Sequence, residues 1–231
     1  MLPDDSARRR DPDARPQQIL DAALAEFGEQ GLAGARLDDI ARRAGVAKGT
    51  IYLYFPNKEA LFREVVRRTI VARLDELSRE FGHAGAGTAV DQLRAYMRAW
   101  WTALRTPAFR AVYRLVVGEL HRFPELLAFY LDEVVSRAKA LPAGVIARGV
   151  AAGEFEADDP RAAARIISST FIAHSLWVGE PQTHAALGAL SPDAVYAQLE
   201  AFALRALQPA AAPVALPSPV SASAAAEAPT S

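Results

Sequence analysis

Apolar residues recur at three- and four-residue spacing along almost the whole of this 231-residue chain, and no stretch alternates with period two for long enough to make a strand. That pattern confines the fold to helices packed by their apolar stripes, an all-α protein. Proline and glycine mark where the helices stop. The segment PQQILDAALAEFGEQG places Ile19, Leu20, Ala23, Leu24 and Phe27 on one face, with Pro16 suited to a first turn and Gly31 to the end. A short second helix over Leu37, Ile40, Ala41 and Ala44 stops at Gly45, and a third around Lys48 to Tyr54 must end before Pro56. Asn57 then caps a longer fourth, KEALFREVVRRTIVARLDELSREF, with Glu59 placed to favour its positive end. Gly82 to Gly87 reads as a flexible break.

Beyond that break, TAVDQLRAYMRAWWTALR, PAFRAVYRLVVGELHRF and PELLAFYLDEVVSRAKAL predict three more helices, and Pro142 is expected to kink or divide the third. Asp159 with Pro160, and Ser191 with Pro192, are cap and first-turn pairs for two unusually apolar last helices, PRAAARIISSTFIAHSLWVG and PDAVYAQLEAFALRALQ. From Pro209 the chain is dominated by Ala, Pro, Ser and Val with one charge, Glu227, a composition that cannot build a packed core. The expected organisation is a flexible arm over 1–14, a small helical domain over 15–62, a larger helical domain over 63–208 and a disordered tail over 209–231.

Composition excludes several kinds of chemistry. With no cysteine, the chain has no disulfide scaffold, cysteine zinc site, iron–sulfur cluster or thiol nucleophile. Four scattered histidines make no metal site, and no cofactor is expected. There is no HExxH and no nucleophile elbow, and Gly82 to Thr88 has the glycines of a phosphate loop without its lysine, so an enzyme is not expected. The start, MLPDDSARRRDPDARP, has charges and prolines where a signal peptide needs an apolar core. Ahead of the proline-rich tail, whose prolines make a membrane helix implausible, the longest apolar charge-free stretch, Ile166 to Gly179, has 14 residues, short of the roughly 18 to 20 that span a bilayer. A soluble cytoplasmic protein without a membrane partner is expected.

The 26 basic and 27 acidic residues nearly cancel, but not locally. Between Arg36 and Arg68 eight basic residues face four acidic ones, net +4, whereas from Arg73 onward 14 basic and 16 acidic residues give −2. The positive stretch contains the two short helices joined at Gly45, the layout of a helix-turn-helix. In the first, Leu37, Ile40, Ala41 and Ala44 pack inward, and Gly45 permits the tight turn that sets the second across it. The second keeps one face for DNA: Lys48, Thr50, Tyr52 and Tyr54 can reach the major groove and its walls, while Ile51 and Phe55 serve the core. Gly49 allows close backbone approach, and Ala47 offers a methyl contact. Lys58, in the next helix's first turn, can join its ammonium to free backbone N–H groups around a phosphate. Amphipathic packing alone explains the apolar positions but not Lys-Gly-Thr followed by two tyrosines.

From Ala35 to Phe62 the stretch ARLDDIARRAGVAKGTIYLYFPNKEALF closely resembles the DNA-binding signature of the TetR (tetracycline repressor) family of bacterial regulators. The matching positions are Leu37, Ile40, Ala41, Ala44, Gly45 and Val46, then Lys48-Gly49-Thr50-Ile51-Tyr52, Tyr54-Phe55, and Asn57-Lys58-Glu59 with Leu61 and Phe62. The resemblance implies DNA contacts from Lys48, Thr50, Tyr52, Tyr54 and Lys58. Two positions depart from it. Arg36 stands where a Thr often caps the second helix, and it can still reach a phosphate; Ala47 stands where a Ser or Thr often caps the third.

In the rest of the chain the resemblance is one of layout. It implies a helical effector-binding and dimerisation domain whose last two long helices pair with a second subunit. Val195, Leu199, Phe202 and Ala206 form a stripe that a monomer is expected to leave exposed. A homodimer on a pseudo-palindromic double-stranded DNA operator follows, released by a small molecule bound among the middle helices. Candidate ligand contacts are Trp100, Trp101, Tyr113, His121, Phe171, His174 and Trp177, with Glu119 and Arg114 also open. Aromatic residues at helical spacing are equally the pattern of plain core. The expected function is thus a ligand-responsive transcriptional repressor. The alternatives are a transcriptional activator, or an effector-independent structural DNA-binding protein, which would need no cavity.

Overall fold

The structure is a computed structural model that describes residues 15–83, 87–178 and 190–209, and among these described residues there are eleven α-helices. Helices α1 (Arg15–Gly34), α2 (Leu37–Ala44) and α3 (Lys48–Tyr54) form the head. Helix α4 (Lys58–Val66) leads out of it and runs without a break through a π-helical segment, Arg67–Val71, into α5 (Ala72–Phe81). The body comprises α6 (Ala89–Leu104), α7 (Pro107–Glu119), α8 (Pro124–Tyr130), α9 (Ser136–Ala151), α10 (Pro160–Trp177) and α11 (Pro192–Ala206), with a second π segment, Leu131–Val135, joining α8 to α9. No strand occurs among the described residues, and no helix there is long and apolar enough to cross a membrane. The arm over 1–14, the tail beyond Pro209 and the middle of the Gly82–Gly87 break lie outside the described residues.

Local chemistry sets the helix starts. Asn57 Oδ1 accepts from Ala60 N at 2.7 Å, Asp159 Oδ1 from Arg161 N at 2.8 Å, and Ser191 Oγ from Ala194 N at 3.2 Å. Each closes an orphan N–H of a first turn. Two caps go beyond the sequence reading. Thr88 and Asp91 make a reciprocal capping box at α6, and Thr106 Oγ1 accepts from Phe109 N at α7.

One apolar core runs from head to body. In the head, Ile19, Leu20, Ala23 and Phe27 of α1 are buried against α2 and α4, with Phe27 and Phe62 edge to face at 5.9 Å. Helix α1 also packs on α7, so the head is seated on the body by two helices, α4 and α7. In the body, Trp101, Phe171 and Tyr196 meet at ring separations of 6.1 to 6.2 Å and lock α6, α10 and α11 together.

Two expectations need correction. Of the two outcomes expected at Pro142, a kink or a division, the division does not occur: α9 continues through it from Ser136 to Ala151. Burial of Leu141, Ala143, Val145 and Ile146 on both sides of the proline offsets the roughly 3 kcal/mol a helix-interior proline costs. The apolar stripe of α11 is also split. Val195 and Leu199 are buried within the subunit, toward α6 and α10, whereas Phe202 and Ala206 are exposed.

Candidate nucleic-acid interface and effector cavity

The turn between α2 and α3 is made by Gly45, whose φ of 67° lies in the left-handed region, with its N–H donating back into α2. Ile51 and Phe55 anchor the inner face of α3 in the core. Their burial fixes what remains outside. Tyr52 and Tyr54 are 45% and 41% exposed, Lys48 and Gly49 are exposed and Thr50 is half-buried. Arg36 and Ala47 are both exposed N-cap residues without a side-chain cap, as their chemistry requires. The structure therefore brings Arg36, Ala47, Lys48, Gly49, Thr50, Tyr52 and Tyr54 to the exposed side of the two short helices. The sequence reading missed Leu53, which is 84% exposed between the two tyrosines and is the most exposed of the large apolar side chains among the described residues. The available signal was its position, two residues from both Ile51 and Phe55 and so on the opposite side of the helix from these core anchors.

Two of the lysines are engaged. Lys48 Nζ lies 2.8 Å from Asp38 Oδ2, and this hydrogen bond holds the ammonium above its ordinary pKa. Lys58 Nζ donates to the carbonyls of Ala33 at 2.8 Å and Ala35 at 3.5 Å, which ties the start of α4 to the end of α1. One of its three N–H donors is left for a phosphate. Around them, Asp38 and Asp39 sit in the first turn of α2 and Arg42 and Arg43 in its last, matching the helix dipole.

Glu119, at the C-terminal end of α7, is the residue that joins head to body most directly. Its carboxylate accepts from Leu32 N at 3.2 Å and Ala33 N at 3.0 Å. Those N–H groups are open because Gly31, at φ 70°, breaks the helical path of α1 just before them. A Cβ at Gly31 would run into Glu119 Oε1. The guanidinium groups of Arg63 and Arg67 add a second link, lying 5.5 and 5.1 Å from the ring centre of Phe129 on α8.

A cavity of about 310 Å³ opens among α6, α7, α8, α9 and α10. Trp100, Phe109, Tyr113, Val116, Tyr130, Val134, Val135, Ala138 and Ile172 supply aromatic and aliphatic wall, and Ser168, Ser169, Lys139 and Arg165 the polar edge. The Trp100 indole N–H is buried without an acceptor among the described residues. Burial pushes the Tyr113 and Tyr130 phenols up, and Tyr113 raises Tyr130 further, so both stay protonated donors.

Of the seven ligand candidates, Trp100 and Tyr113 line this cavity. Trp101 and Phe171 are instead core, in the cluster with Tyr196. His174 is half-buried, its Nδ1 2.8 Å from the Thr170 carbonyl, while His121 lies in an exposed turn and Trp177 is 55% exposed. Helical spacing puts aromatics on the inner side of their helices but does not say whether a neighbour fills the space before them, which is why Tyr130 and Phe109 were not separated from Trp101 and Phe171. Among the described residues no three His, Asp or Glu side chains gather as a metal site.

Residues 19–65 match the profile of the bacterial regulatory proteins of the tetR family, and residues 84–194 that of the tetracyclin repressor-like C-terminal domain. The HTH-type transcriptional regulator RutR of Escherichia coli K12 is 30% identical over 195 residues, 82% of this chain and 86% of RutR. The HTH-type transcriptional repressor SCO4008 of Streptomyces coelicolor is 45% identical over 62 residues, 27% of this chain, which spans about a third (32%) of that protein. Among solved structures, the SmeT–triclosan complex shares the fold, with a TM-score of 0.70 at 24% identity over 90% of this chain and 99% of that one.

Proposed function

Because the chain belongs to the tetR family of bacterial regulatory proteins, and is thus a DNA-binding transcriptional regulator, we propose that it acts as a homodimeric repressor released from its operator by a small molecule. The observation that carries the ligand response is the course of α7. This helix lines the cavity with Phe109, Tyr113 and Val116 and, about 5 Å beyond Val116, holds the end of α1 through Glu119. A molecule entering the cavity must press on the helix that seats the head. The triclosan complex of SmeT, a protein of the same fold, supports a small-molecule ligand.

DNA contact falls to α3. Tyr52, Leu53, Thr50 and Ala47 offer apolar and hydroxyl contacts to base edges and walls; Lys48, Arg36 and Lys58 neutralise phosphates. Lys48 exchanges its Asp38 partner for phosphate at the duplex. Dimerisation falls to α10 and α11, which present Ile166 and Phe202, 57% and 59% exposed, together with exposed Ala173, Ala197 and Ala201. Small residues beside two large apolar ones suit close helix pairing with a second copy.

Selection of bound duplexes from a random library, followed by a salt titration on the winner, tests this reading. The expected product is a pseudo-palindrome whose half-sites lie about 34 to 36 Å apart, or a multiple of that, bound with steep salt dependence. Enrichment of no sequence, or of a single half-site without symmetry, refutes it.

A further inference from the structure

The cavity does not end at its polar edge. Lys139 and Arg165 line both it and a groove of about 780 Å³ between α9 and the start of α10. The groove adds Arg161 and one carboxylate, Asp159, whose Oδ1 already accepts from the Arg161 backbone N–H as the α10 cap. None of Lys139, Arg161 and Arg165 makes an ion pair among the described residues. Nearby arginines behave differently: Arg137 reaches Asp75 at 3.1 Å and Glu133 at 3.0 Å.

The inner chamber carries no carboxylate among its lining residues. Its polar atoms include the hydroxyls of Tyr113 and Tyr130, which have no hydrogen-bond partner among the described residues. The whole space thus grades from an aromatic and aliphatic chamber, with hydroxyl donors, to a mouth with three cations against one occupied carboxylate. On the reading of this cavity as the effector site, we infer that the effector is an amphipathic anion. Its alkyl or aryl body lies against Trp100, Phe109 and Ile172, and its anionic oxygen head meets Lys139 and Arg165. A cationic head would meet like charge at the mouth, and a neutral one would leave the cations unused. An anion satisfies both ends of the site, because charge-assisted hydrogen bonds are the strong ones where water is partly displaced.

Titration calorimetry of the full-length protein with decanoate, decanol and decylamine tests the inference. These probes share a chain that the chamber can hold and differ in head-group charge. Decanoate is expected to bind at least about tenfold more tightly than decanol, with decylamine weakest. The double substitution Lys139→Gln and Arg165→Gln, at two exposed positions, should remove the preference for acid over alcohol. Equal affinity for decanoate and decanol, or tightest binding by decylamine, overturns the anionic head while leaving an apolar effector site in place. Binding of none of the three overturns the inference together with the cavity assignment. Operator release, measured in parallel, separates the two readings: decanoate that binds with the expected preference but leaves DNA bound upholds the anion site and refutes its role as effector site.

Discussion

Leu53 projects from α3 between Tyr52 and Tyr54, largely open to solvent, an arrangement that costs apolar exposure in the free protein and that the proposed contact with base edges would offset. Replacing Tyr52 or Leu53 by Ala is therefore expected to change which operator bases are preferred, at about 1 to 3 kcal/mol for a lost base contact. Lys58 belongs to a different class. Its ammonium already holds the Ala33 and Ala35 carbonyls, and the donor that remains can serve any phosphate regardless of sequence. Lys58→Ala should weaken every duplex alike and lower the salt slope by about one. Fluorescence anisotropy on the selected operator and on a scrambled duplex over a salt series distinguishes the two; a uniform loss for all three variants would sink the division of labour. Ala47 offers a stabilising change. At this N-cap no side chain reaches the first turn of α3, so Ala47→Ser should add about 1 kcal/mol, seen as a higher urea midpoint at unchanged slope. An unmoved midpoint would mean that water already serves those N–H groups as well.

At the scale of elements, the α1–α7 junction has the most demanding geometry. Gly31 combines a left-handed φ with a Glu119 carboxylate where a Cβ would stand, so Gly31→Ala should cost more than about 1 kcal/mol in thermal or urea unfolding. Glu119→Gln is the subtler test. It keeps the shape but leaves one acceptor oxygen for two donors, so one of the bonds to Leu32 and Ala33 is lost with the amide NH2 turned toward an N–H; ligand affinity should hold while the difference in that affinity with and without operator shrinks. An unchanged difference would place the coupling elsewhere, with the Arg63 and Arg67 contacts to Phe129 the next candidates. Which elements could be read beforehand follows from how local their causes are. Asn57, Asp159 and Ser191 cap within three residues, so their helices were legible, as was the Gly45 turn with Ile51 and Phe55 turned inward. That Pro142 does not divide α9 was not legible, because what holds the helix together there is burial against other helices, invisible to a local rule. Val195 and Leu199 lie on a true apolar stripe, yet periodicity cannot name the helix that covers it. The clamp from Glu119 to Leu32 and Ala33 joins positions 87 and 86 residues apart, and no local pattern announces a bond of that span.

For the whole molecule, the proposed homodimer makes subunit pairing and DNA binding one equilibrium. Two heads held at fixed spacing bind an operator with roughly twice the phosphate contacts of one head, and the second head binds as an intramolecular step. Ile166 and Phe202 lie far in sequence from every proposed DNA contact, so a charge placed at either should act only through pairing. Burying an unpaired carboxylate in that face is expensive, whereas in a separated subunit the same side chain stays in water at little cost. The double substitution Ile166→Asp and Phe202→Asp is therefore expected to give a folded monomer by sedimentation, with unaltered helical circular dichroism. Its salt slope on the operator should fall to about half, and its preference for the palindrome over an isolated half-site should vanish. A variant that still sediments as a dimer would move the subunit interface away from α10 and α11. A monomer with the full salt slope would mean that a single head gathers all the phosphate contacts. The pseudo-palindrome would then reflect two independent binding events instead of one paired molecule, and spacing between heads could no longer be the quantity a ligand controls.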